Sequence, residues 1–166
     1  MMVAGWLLLG SLVWWFFDGQ VERRDNPNAE LAQVAGPRTE VILKRGRDGH
    51  YRAPGRIDGH PVEFLVDTGA TMVALPESLA RSIGLRPGRA FTARTANGTT
   101  VAHATRLQQV TLGGLEVRDV AGAILSGAPA NELADEQVLL GMSFLSHFEI
   151  SIRDGEMRLH GRAPGP

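Results

Sequence analysis

The run from Phe64 to Leu75, Phe-Leu-Val-Asp-Thr-Gly-Ala-Thr-Met-Val-Ala-Leu, restricts the possible folds more than any other part of the chain. Val62, Phe64 and Val66 alternate with Pro61, Glu63 and Leu65, the period-two pattern of a strand with one buried face. That strand ends on a carboxylate, Asp67, at the rim of a core. An unpaired ion in such a place is costly, so hydrogen-bond donors must answer it. Thr68 offers a hydroxyl, and Gly69 allows backbone angles and close approaches that a Cβ resists. A second apolar run, Met72 to Leu75, begins at once. The sequence therefore sets an acid on a tight turn between two apolar strands.

Short strands and turn signals continue on both sides. Val41 to Leu43 reads as a first strand, Arg47-Asp48-Gly49 as a turn, and Tyr51 to Ile57 as a second strand closed by Asp58-Gly59. After Leu75, Pro76 takes the first position of a short helix with apolar residues at Leu79, Ala80 and Ile83, and Gly84 ends it. Phe91 to Ala102 reads as a hairpin with Asn97-Gly98 at its tip. Leu107 to Leu112, Gly113-Gly114 and Leu115 to Ile124 form a second hairpin, and Ser126 to Glu136 a loop. Val138-Leu139-Leu140-Gly141 is a compact apolar strand, Met142 to His147 a short helix, and Phe148 to Ile152 an alternating strand. Asp154-Gly155 then turns the chain into Met157 to Leu159.

The 166 residues hold one ordinary domain with extensions. A formal charge of −1 and a pI near 6.5 give no electrostatic footprint for nucleic acid. The absence of cysteine excludes disulfides, thiolate zinc sites and cysteine nucleophiles, and leaves the compartment open.

Met1 to Phe17 carries no charged side chain and is almost wholly apolar. Trp14-Trp15-Phe16-Phe17 stands where a cleaved leader would have small residues, and bulky aromatics suit a membrane interface. Residues 1–17 are thus expected to be a transmembrane anchor, 18–37 a flexible tether, 38–162 the folded domain and 163–166 a frayed tail. Arg23 and Arg24 follow the span and no basic residue precedes it, which argues for a cytoplasmic C-terminal side.

Other chemistries fit poorly. Gly141-Met142-Ser143-Phe144-Leu145 begins like a nucleophile elbow, but Leu145 replaces its closing glycine. His50, His60, His103, His147 and His160 lack the spacing of a metal motif and read as surface or capping residues. Gly113-Gly114 has the form of a hairpin turn, not of a phosphate loop. A phosphoryl-accepting role for Asp67 would need a metal-binding acid cluster and a parallel α/β sheet, and the chain offers mainly short strands.

Asp67-Thr68-Gly69-Ala70, preceded by Phe64-Leu65-Val66, resembles the active-site signature of the aspartic proteases. More narrowly, the chain resembles the single-domain retropepsin-like proteases of bacteria. The resemblance runs from about Asp48 to Phe148 and takes in Asp48-Gly49-His50-Tyr51, the active-site run, Asn97-Gly98, and Leu139-Leu140-Gly141-Met142-Ser143-Phe144-Leu145. It implies an all-β, single-lobe retropepsin-like acid protease barrel with one or two short helices, here preceded by a transmembrane helix. It implies Asp67 as the catalytic residue on a turn with Thr68, Gly69 and Ala70. It makes the hairpin carrying Ala96, Asn97 and Gly98 a flap over bound peptide, and Leu139, Leu140 and Gly141 the second structural signature, packed beside the catalytic turn. It implies no cofactor and no metal.

The mechanism of such enzymes requires two carboxylates that share one proton, because like charges at that distance cannot both ionise. The chain has a single Asp-Thr-Gly. The expected unit is therefore a homodimer, with Asp67 from each copy on a two-fold axis. The expected function is an aspartic endopeptidase cutting peptide or protein substrates; the alternative is a catalytically silent domain of the same fold, used for dimerisation or peptide binding. The resemblance places the domain outside the cytoplasm, against the sense of Arg23 and Arg24. The expectation follows it: a single-pass protein of the bacterial inner membrane with the domain on the periplasmic side.

Overall fold

The computed structural model describes residues 26–33, 36–95, 98–126 and 137–161. The expected anchor over 1–17 and the tail over 163–166 lie outside them. Among the described residues no helix is long and apolar enough to cross a membrane.

Among the described residues the fold is an all-β barrel with two short α-helices. Its strands are β1 (Glu40–Lys44), β2 (Arg52–Ile57), β3 (His60–Val66), β4 (Val73–Pro76), β5 (Ala90–Thr95), β6 (Gly98–Leu112), β7 (Leu115–Ser126), β8 (Gln137–Leu140), β9 (Phe148–Arg153) and β10 (Glu156–Gly161). One sheet has the order β2-β3-β8-β4-β7-β6-β5. A further pairing of Gly55–Ile57 with Val110–Leu112 joins β2 to β6 and closes it, leaving β5 as an outlying strand. A smaller sheet has the order β1-β10-β9.

Local chemistry explains most turns. Asp58-Gly59, Gly113-Gly114 and Asp154-Gly155 each link directly paired strands through two residues of positive φ. This is the hairpin geometry that matches strand twist and favours glycine. The Glu77–Ser82 helix ends as its sequence suggests. Gly84 has a φ of +75°, its N–H donates to Arg81, and the Leu85 N–H donates to Ala80. That pair of bonds satisfies carbonyls the helix leaves open. Pro76, expected as the first helical residue, is instead the last residue of β4 and the N-cap, with extended backbone.

Three more expectations change. The hairpin tip shifts by one residue: Thr95 pairs with Gly98, so Gly98 belongs to the ladder, while Ala96 and Asn97 lie outside the described residues. The two expected hairpins share one strand of 15 residues, β6, which pairs with β5 at its start and with β7 along its length. Finally, residues 26–33 of the expected tether are docked on the barrel. Ala29–Gln33 forms a 3-10 helix, and Leu31 packs on the core. Asn28, 3% exposed, donates from Nδ2 to the carbonyls of Lys44 and Arg52 and accepts the Lys44 N–H on Oδ1. Asn26 donates to Glu63.

β3 alternates as its sequence predicts: Val62, Phe64 and Val66 are buried. They join a main core that includes Leu43, Ile57, Leu75, Leu107, Leu112, Leu140, Phe144 and Leu159. Burying each such side chain contributes about 1.5–3 kcal/mol. A second cluster, Ala74, Ala102, Ala123 and Leu125, carries half-buried Met72, Phe91, Ala93 and Leu139.

Candidate active site

β3 and β4 are consecutive in sequence but not neighbours in the sheet. β8 lies between them, parallel to β3 with Leu139 beside Leu65, and bridged to β4 through Leu139 and Ala74. The connection from Asp67 to Met72 must therefore arch over the end of β8. Its backbone polar groups need partners there, because buried unpaired groups are costly. They find them in the residues that follow β8. The Asp67 N–H donates to Leu140 (3.2 Å), the Met142 N–H to Ala70 (2.8 Å) and the Ser143 N–H to Thr71 (2.9 Å).

Gly141 makes this crossing possible. A Cβ built there would sit 2.3 Å from the Met72 carbonyl oxygen and 2.8 Å from that of Ala70. Any side chain would push the arch off the strand end. Leu140 is fully buried and Leu139 half-buried in the second cluster. The apolar pair and glycine thus stand directly beside the Asp67 turn.

The turn itself is accessible. Asp67 is half-buried, and Thr68 and Gly69 are exposed. The Gly69 N–H donates to Asp67 Oδ1 at 2.8 Å, and the Ala70 N–H donates to the Asp67 carbonyl at 3.2 Å. Gly69 does not use the left-handed region; a Cβ at this position would lie 3.2 Å from Asp67 Oδ1, so its contribution is close approach to the carboxylate. Among the described residues the Thr68 hydroxyl has no hydrogen-bond partner.

Ser143, one turn further on, is occupied structurally. Its Oγ donates to the Ala121 carbonyl at 2.7 Å and accepts the Val73 N–H at 3.0 Å. This tie joins β4, β7 and the Met142–Leu145 helix through backbone groups; among the described residues no base is bonded to the hydroxyl, which argues against a nucleophile elbow. His147 caps the same helix, with Nδ1 3.1 Å from the Phe144 carbonyl. Among the described residues no cluster of histidines and acids could hold a metal ion.

The Asp48-Gly49-His50-Tyr51 segment serves the loop ahead of β2. The His50 N–H donates to Asp48 Oδ1, and Arg52 forms an ion pair with the other oxygen. The His50 N–H first, and then Arg52, hold the Asp48 carboxyl below its usual range against slight desolvation. The Tyr51 carbonyl accepts the Val66 N–H, which ties this segment to the residue before Asp67. The hairpin of β5 and β6 also reaches the turn's surroundings, because Phe91, Ala93 and Ala102 pack in the same cluster as Met72 and Leu139.

Asn28 and Ser143 were not legible as functional supports. Asparagine before a short apolar stretch is a common turn signal, and Ser143 resembled part of a different motif.

A single lobe bearing one carboxylate on an exposed glycine turn, laced over an apolar strand end, is the arrangement of a single-domain aspartic protease half. Residues 53–147 match the family described as "gag-polyprotein putative aspartyl protease", more than half of the chain, and the chain belongs to that family. It is similar to the crystal structure of a retropepsin-like aspartic protease from Rickettsia conorii, with 32% identity and a TM-score of 0.60, over 74% of this chain and 90% of that one. It is 37% identical over 124 residues to an uncharacterized protein in the cobV 5′ region of a Sinorhizobium species, covering 72% of this chain and 51% of that protein. An uncharacterized protein of Rickettsia prowazekii is 31% identical over 113 residues, covering 66% and 46%. The chain spans about half the length of these two curated relatives.

Proposed function

We propose that the chain is an aspartic endopeptidase whose active centre is assembled from two copies, each contributing Asp67. The carrying observation is the placement of Asp67: an accessible carboxylate, oriented by the Gly69 N–H, on the chain's single turn of this kind. Two such carboxylates across a two-fold axis would share a proton and titrate as a coupled pair. The ionised member takes a proton from water as the water oxygen attacks the scissile carbonyl carbon. The protonated member gives its proton to the carbonyl oxygen. Collapse of the tetrahedral intermediate returns a proton to the leaving nitrogen as the C–N bond breaks. The exposed Thr68 hydroxyl is available to bond across the axis and hold the pair in register.

The β5–β6 hairpin, with Ala96, Asn97 and Gly98 at its end, acts as the flap in this reading. It shares an apolar cluster with the turn's neighbours. Among the described residues β5 is the outlying strand of its sheet, so its backbone offers an edge to an extended peptide. Residues 1–17 anchor the protein in a membrane, with the domain on the periplasmic side of the bacterial inner membrane. The apolar, aromatic-ended composition of that segment supports the anchor.

Asp67→Asn tests the reading. This near-isosteric change should abolish cleavage of an unstructured protein such as casein, by at least about 10³-fold, while circular dichroism and sedimentation stay as in wild type. Equal activity in the variant would eliminate the mechanism. A wild-type dimer that never cleaves would favour the silent, binding form of the fold.

A further inference from the structure

The segment docked ahead of β1 limits how far the candidate site can stand from residues 1–17. By sequence, 18–37 is one flexible tether of 20 residues, but residues 26–33 are fixed to the barrel. Buried Asn28 accepts the Lys44 N–H at 2.7 Å and donates to the carbonyls of Lys44 at 2.9 Å and Arg52 at 2.7 Å. Asn26 Nδ2 donates to Glu63 Oε1 at 2.9 Å, and Leu31 packs on the core beside Gly113. Further along, the Arg38 N–H donates to the Gly114 carbonyl at 3.0 Å. Lifting the segment would strip partners from buried backbone groups, which is costly. The free length between residue 17 and the domain is therefore eight residues, 18–25.

The same contacts set where that free length meets the domain. Arg52 stands opposite Leu65 in the β2–β3 ladder, two residues before Asp67. Glu63, the partner of Asn26, precedes Asp67 by four residues on the same run of chain. At the usual strand rise Asp67 lies roughly 13 Å onward from Glu63. The point of attachment and the candidate site are thus close neighbours.

However residues 18–25 are arranged, eight residues span at most about 29 Å. That is less than the breadth of a compact domain of this size, roughly 36 Å. Through Asn26 and β3, Asp67 then stands within about 50 Å of the end of residues 1–17. An undocked tether of 20 residues would instead span up to about 70 Å before the domain begins.

We propose that the docked segment makes the protein a membrane-surface protease, whose substrates are extended segments of proteins held in the same membrane. The inference rests on the anchored endopeptidase reading and adds the class of substrate. The segments it reaches lie within about 15 extended residues of the bilayer. Two proteins held in one membrane meet at high effective concentration, provided the tether can span the gap between site and substrate. A short tether therefore favours cleavage sites near the bilayer and fails at sites held rigidly farther out.

The test uses the full chain reconstituted in phospholipid vesicles with a single-pass substrate protein. Its casein-derived segment begins either directly at the bilayer or beyond a helical spacer of about 60 residues, which carries it roughly 90 Å out. Wild type should cut the near segment at least about tenfold faster than the far one. In detergent, where no common plane holds the two proteins, it should cut both alike. The same spacer inserted between Asp25 and Asn26 keeps the docked segment and should raise far cleavage in vesicles by about tenfold or more. The Lys44 N–H should be protected from hydrogen exchange in the vesicle-bound protein, as its bond to Asn28 requires. Equal cutting of both segments in vesicles, no gain from the inserted spacer, or an unprotected Lys44 N–H would overturn the inference. Detergent cleavage that Asp67→Asn abolishes would, in those cases, leave the endopeptidase reading standing. A full chain that does not float with vesicles would overturn the anchor and this inference together. No cleavage in detergent would overturn the endopeptidase reading and this inference with it.

Discussion

At Gly141 there is no room for a methyl group. The Met72 and Ala70 carbonyls crowd the missing Cβ, and the same carbonyl of Ala70 accepts the Met142 N–H. One residue therefore sets how closely the Asp67 turn sits on the end of β8. Gly141→Ala should cost at least about 3 kcal/mol in urea unfolding, because backbone rather than a flexible side chain must move. Activity should fall further than the loss of folded protein explains, since the turn is displaced. Near-wild-type stability would mean the arch can relax away from the strand end. Asn28 is the second decisive residue. Its amide closes two carbonyls and one N–H at the start of β2 and the end of β1. Asn28→Ala leaves those groups unpaired, and a loss of about 2–4 kcal/mol is expected from the desolvation penalty. A change below about 0.5 kcal/mol would mean water replaces the amide without penalty.

Among the elements, those governed by local rules were readable from sequence. The alternation of Val62, Phe64 and Val66, the Asp-Gly and Gly-Gly turns with positive φ, and the Gly84 helix stop each depend on a few adjacent residues. The turn at Asp67 and the packing of Gly141 beside it were legible because both rest on short runs of adjacent residues. What escaped depends on distant partners. Asn28 acts through Lys44 and Arg52, so no window around it announces a docked segment. Asn97-Gly98 carries the usual turn signal and predicts a tip at those two residues, whereas the pairing of Thr95 with Gly98 places Gly98 in the ladder. The β9 strand alternates cleanly, but only the three-dimensional sheet leaves Ile152 uncovered at an edge.

For the whole molecule, the central question is what completes the site. The lobe is closed as a barrel, with β2 joined to β6, and its core is buried without help from a second copy. The carboxylate, in contrast, is half-buried on an accessible turn. On the proposed two-copy active centre, activity should be governed by association. The most direct measurement follows specific cleavage activity across a dilution series while sedimentation reports the dimer fraction in the same samples. Activity per chain should track the dimer fraction and vanish as the protein becomes monomeric. Activity per chain that stays constant into the monomeric range would contradict a shared active centre.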